Sequence, residues 1–172
     1  MRVESWVGVM AVLLALSGVT IDAEQECRRS FLPANVHLLH DIERPLQRIY
    51  ERAPSFRVQC DRIAAAGGLR VTVRIDPLIP SRCRAFTVVR RSGRRILADV
   101  HLPPSSDHAE MLAHEFEHII EQIEGLDLKK LARLKGSGVY EVEYAVFETD
   151  RAQSAGRVVK AEVRQNAAPA AD

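Results

Sequence analysis

Two histidines four residues apart, with a glutamate directly after the first, carry the most specific chemical signal in this sequence. They stand in Ala113-His114-Glu115-Phe116-Glu117-His118. On a helix, residues i and i+4 lie on one face one turn apart, so both imidazoles can reach a single metal ion. The glutamate after the first histidine is rotated toward the open side of that ion. There it can take a proton from an attacking water and hand it to a leaving amine. A helical wheel separates three faces of this stretch. Leu112, Phe116, Ile119, Ile120 and Ile123 form the core stripe; His114, Glu115 and His118 lie beside it with Met111 and Gln122. Glu110, Glu117, Glu121 and Glu124 form an acidic face predicted to meet solvent.

A hydrolytic zinc ion takes three protein ligands and leaves one position open. Glu141, Glu143 and Glu148 follow in a stretch, Val139 to Arg164, that reads as one long helix weakened by Gly156. Glu148 lies 30 residues after His118, enough for a short helix, a turn and a return helix. Ala152, Ala155 and Gly156 follow on its own face, and small residues there let two helices approach closely. Glu148 is therefore the first choice for third ligand, Glu141 the second, and Glu124 a poorer substitute. The expected cofactor is Zn2+, held by His114, His118 and Glu148, with Glu115 as general base.

The elements that must position these groups are partly legible. Asn35 to Arg52 shows apolar residues at helical period, with Pro45 inside as a kink or restart. After Gly67-Gly68, Leu69 to Ile75 alternates as a half-buried strand. Ala85 to Arg90 is a second strand, Ser92-Gly93 a turn, and Ile96 to Leu102 a third strand. Asp107 with Glu110 resembles a capping box for the histidine helix, which Gly125 ends. A short helix from Leu128 to Leu134 precedes the flexible Gly136-Ser-Gly138. The fold class expected is α+β, as a single domain over 24–165 with a frayed tail at 166–172.

Met1-Arg2, the apolar run Trp6 to Val19 and Ala23 read as a signal peptide over 1–23, because the run is too short to span a bilayer. The mature chain is then exported, periplasmic or secreted, without a stable membrane anchor. Cleavage removes Arg2, Glu4 and Asp22 and moves the net charge from +1 to +2. Arginine recurs through the first half, but acids compensate it and aromatics are only 5%, so a nucleic-acid partner is not expected. Cys27, Cys60 and Cys83 allow at most one intramolecular bridge, with Cys60–Cys83 favoured. Tyr140, Tyr144, His101 and His108 are candidates for steadying a developing oxyanion.

His-Glu-Phe-Glu-His (114–118) and Phe-Glu-Thr-Asp-Arg-Ala (147–152) together resemble the gluzincin class of zinc metallopeptidases. The chain is similar, too, to small exported bacterial proteins of unassigned function with this two-part pattern. The resemblance covers roughly residues 96–165. It implies a zincin-like fold, with a small sheet packed on the histidine helix, and a peptide or protein substrate added to the sheet edge as an extra strand. Ile96 to Leu102 is the expected edge. Metzincins would need glycine at 121 and histidine at 124, where this chain has glutamates. Gluzincins often carry an aspartate four residues after the ligand glutamate; Ala152 stands there, so another group must orient the histidines. The competing reading is an exported binding or scaffolding protein with an inactive metal site. Glu115 favours the enzyme, since a structural zinc site has no use for a free carboxylate.

Overall fold

A computed structural model describes residues 31–39, 42–79, 84–104 and 108–167. The expected signal peptide, Cys27, Cys83, Asp107 and the end of the tail lie outside the described residues. The described chain starts with strand Val36–Leu39 (β1) and helices Glu43–Arg52 (α1) and Pro54–Ala65 (α2). Strands Leu69–Ile75 (β2), Phe86–Ser92 (β3) and Arg95–Leu102 (β4) follow, then helix Ala109–Ile123 (α3) and one turn, Leu128–Leu131 (α4). Strands Val139–Glu143 (β5) and Val146–Thr149 (β6) form a separate hairpin that leads into the last helix, Asp150–Gln165 (α5).

Two expectations about elements are corrected. Asn35 to Arg52 is not one helix: Val36 to Leu39 pairs in parallel with β2, and the helix starts at Glu43. Pro45 sits in its first turn, where a missing N–H leaves no bond unmade. Val139 to Arg164 is a hairpin followed by a helix. Its first part is rich in β-branched and aromatic residues, Ala145 turns the hairpin at a φ of 59°, and the Thr149 hydroxyl accepts from Ala152 N (2.9 Å) to start α5. Short paired strands with apolar residues three or four apart imitate a helical period.

The main sheet runs β1-β2-β4-β3, with β1, β2 and β4 parallel and β3 antiparallel. Ile96 to Leu102 is therefore interior, because β4 pairs with β2 on one side and β3 on the other. The edge is β3. The period of two directs Val71, Val73, Ala98, Val100 and Leu102 to one buried face, which the helices cover. There Phe56 of α2 stacks on Phe116 of α3 with ring centroids 5.3 Å apart. Each such fully buried ring contributes about 2–3 kcal/mol.

Helix α3 is covered on more sides than its amphipathic pattern predicts. Gly156 of α5 packs against it so closely that a Cβ there would stand 2.7 Å from the Glu110 carbonyl oxygen. The expected close approach of small residues is present, although Glu148 precedes this helix instead of riding on it. Glu117 and Glu121 do not meet solvent, being only 6% and 1% exposed. Glu117 accepts from Gln59 Nε2 (2.7 Å) and Arg151 Nε (2.5 Å), and Glu124 pairs with Arg62 and Arg151. Cys60 is buried in α2 and carries no disulfide among the described residues. Burial, then the charge of Asp61, pushes its thiol up to about 12, so it stays protonated and unreactive at neutral pH. No helix among the described residues is long and apolar enough to cross a membrane.

Candidate metal centre

His114 and His118 stand on consecutive turns of α3, and their Nε2 atoms are 3.2 Å apart. The hairpin brings Glu148 to the same point: its Oε1 lies 3.3 Å from His114 Nε2 and 3.6 Å from His118 Nε2. These three atoms form a nearly equilateral triangle. Two zinc–ligand bonds of about 2.0–2.1 Å at the tetrahedral angle span roughly 3.3–3.4 Å between ligand atoms. The donor set therefore fits a zinc ion by size and chemistry. It forms the one group of three or more metal-ligating side chains among the described residues.

Two of the three candidate ligands, His118 and Glu148, are oriented by a neighbour. His118 Nδ1 lies 2.9 Å from Glu121 Oε2, and a carboxylate only accepts, so Nδ1 carries a hydrogen and Nε2 is the nitrogen that would give up its proton to a metal. The other oxygen of Glu121 accepts from the Thr149 hydroxyl at 2.6 Å. Glu121 thus supplies the orienting group that Ala152 cannot. Glu148 Oε1 accepts from the Thr149 amide (2.8 Å), and its Oε2 lies 3.9 Å from an Arg84 guanidinium nitrogen.

The electrostatics separate the two histidines. Burial lowers the pKa of His114, more than the nearby Glu148 raises it. Burial also works against charge on His118, but hydrogen bonds to Glu121 and Glu148 outweigh it and hold the group at about 10. Glu148 pays for its own burial, yet His118, His114 and the Thr149 amide bring it below the usual carboxylate range.

Glu115 is 4% exposed and accepts from the Thr87 hydroxyl of β3 at 2.7 Å. Burial raises its carboxyl to about 6, against the lowering effect of that hydroxyl. A carboxylate titrating near neutrality is the kind that can both take and return a proton. His114, Glu115, His118 and Glu148 line one cleft of about 1070 Å3, bounded by β3 from Phe86 to Val89 and by the β5–β6 hairpin.

The other expected candidates stand elsewhere. Glu141 accepts from the Ala145 amide within the hairpin (3.1 Å), and Glu124 is held by Arg62 and Arg151. Tyr140 donates to Asp150, His101 pairs with Asp76 at 3.0 Å, and buried His108 lies 3.3 Å from the Pro103 carbonyl. Tyr144 is 95% exposed. None of these four lines the cleft, whereas Arg84 does. Sequence reasoning missed Arg84, Thr87, Glu121 and Thr149. Of these, Glu121 left a signal, since it lies three residues after His118 and thus one turn along the same face. Comparison of the chain with protein-family models, curated proteins and solved structures finds no match.

Proposed function

We propose that this chain is an exported zinc-dependent hydrolase that cleaves peptide bonds, built on a zincin-like arrangement of sheet and helices. The observation that carries this reading is the triangle of His114 Nε2, His118 Nε2 and Glu148 Oε1, opening on a cleft that Glu115, a carboxylate outside the triangle, also lines. When bound, zinc supplies Lewis acidity, polarising a carbonyl and acidifying a water. Glu115 accepts the proton of the attacking water and returns it to the departing amine nitrogen. Thr87 holds that carboxylate in place. Arg84 offers a cation at the cleft beside Glu148, where negative charge develops during acyl attack. The free edge of β3 offers backbone groups to an extended peptide, aligning it over the site by strand addition. Export rests on the sequence of residues 1–23.

The test compares Glu115→Gln with the parent, both loaded with zinc, on a broad peptide pool. Parent cleavage should be lost in the variant while zinc content is kept, because an amide cannot accept the proton. A zinc-loaded parent that cleaves no peptide removes the peptidase reading and leaves a metal-binding protein.

A further inference from the structure

Among the described residues, the helices cover one face of the main sheet. On the other, β2 presents Arg70, Thr72 and Arg74, β4 presents Arg95, Leu97, Asp99 and His101, and β3 presents Phe86, Val88 and Arg90. Asp99 is the single acid among these residues, and both Arg74 and Arg90 pair with it. At the tip joining β3 to β4 the chain reads Arg90-Arg-Ser-Gly-Arg-Arg95, all of it exposed and without an acid. Arg91 is turned to the helix side, where it donates to the Gln122 carbonyl. The side chains of Arg70, Arg94 and Arg95 have no ion-pair partner among the described residues. Leu97, 42% exposed, lies directly opposite Arg70 on one neighbouring strand and Arg90 on the other. Val88, 39% exposed, is next on the same face.

We propose that this arginine-rich tip and outer sheet face dock reversibly on an anionic phospholipid bilayer. The unpaired guanidinia meet lipid phosphates, to which their planar forks are matched. Leu97 and Val88 enter the boundary between headgroups and acyl chains. A single-stranded nucleic acid would offer the same phosphates, but its bases need aromatic faces to stack on, and a duplex has no apolar layer for Leu97 and Val88 to enter. The exposed apolar residues beside these arginines, Leu97 and Val88, are aliphatic, and the two rings presented by β3 and β4, Phe86 and His101, are stacked on each other (centroids 4.6 Å apart) at the far end from the tip. The cleft lies mainly on the helix side and meets this face only at β3, through Phe86 and Val88. The interaction is distinct from the metal chemistry and stands without it.

The test is cosedimentation of the full mature chain with vesicles of phosphatidylglycerol and phosphatidylcholine, against phosphatidylcholine alone. Binding is expected to the anionic vesicles only, and to weaken as salt screens the surface. The variant R70Q/R94Q/R95Q touches exposed side chains without partners among the described residues, so its circular dichroism should match the parent. Its partitioning should fall roughly a hundredfold, about fivefold for each arginine removed. Equal binding to both vesicle types, or a triple variant that binds as the parent does, overturns the proposal. So does binding to a duplex oligonucleotide with none to vesicles, which assigns the face to nucleic acid.

Discussion

Glu121 and Thr149 are joined by a 2.6 Å hydrogen bond that ties the two halves of the candidate metal centre together. The carboxylate fixes the ring of His118 on α3, and the threonine is the chain neighbour of Glu148 and the cap of α5. One fully buried group therefore sets the position of a histidine ligand and of the strand end that delivers the carboxylate ligand.

Replacing Glu121 with alanine should leave the His118 Nδ1 hydrogen and the Thr149 hydroxyl hydrogen without an acceptor. Zinc affinity is expected to fall about 10–100-fold, as for other groups that orient metal ligands. Competition against a chromophoric chelator reads this directly. An unchanged affinity would mean that His118 is held by packing alone.

The buried Glu115 carboxyl predicts a pH-dependent gain of stability on neutralisation. Its pKa in the metal-free folded chain is raised from 4.5 to about 6. Protonation is thus favoured by folding, so the group's contribution is complete below about 4.5 and is lost as pH rises through about 6. In metal-free protein, Glu115→Gln should gain on the order of 1–2 kcal/mol at pH 7.5 and nothing at pH 4. Urea unfolding at the two pH values checks the sign. A gain of equal size at both would assign it to something other than the charge.

The closeness of α5 to α3 predicts an asymmetry between glycines. Gly156→Ala places a methyl 2.7 Å from the Glu110 carbonyl oxygen and 3.4 Å from His114 Cβ, so the helices must separate. A loss of about 1–3 kcal/mol is expected, with weakened zinc binding because His114 shifts. Gly67, which has nothing within 4 Å and an ordinary φ, is the control; Gly67→Ala should not destabilise. Denaturant midpoints of the two variants decide it.

What was legible in the sequence follows the range of the interactions involved. His114, Glu115 and His118 could be placed on one helix because that geometry is set within two turns. Strands β2, β3 and β4 were readable from alternation and from the Ser92-Gly93 turn. Glu148 could be singled out as a residue, but its element could not. It is delivered by the pairing of Val139 with Thr149 and of Tyr140 with Glu148 across the hairpin, and pairings of that kind leave no periodic trace. Glu117 and Glu121 were placed toward solvent because a helical wheel assumes one buried face. Helix α3 packs against the sheet, α2 and α5 together, so its acids are buried against Gln59, Arg151 and Thr149. The edge role went to β4 and not β3 because strand order depends on the crossover between β2 and β4, which spacing along the chain does not encode.

The central claim is that His114, His118 and Glu148 hold one zinc ion, and metal titration of the mature chain tests it most directly. Metal-free protein titrated with zinc against a competing chelator should take up about one ion per chain. Glu148→Ala removes one of three protein ligands and should weaken uptake severely, whereas Glu141→Ala and Glu124→Ala should bind as the parent does. A parent chain that takes up no zinc would contradict the account. So would a Glu148→Ala variant that binds zinc with the parent's affinity.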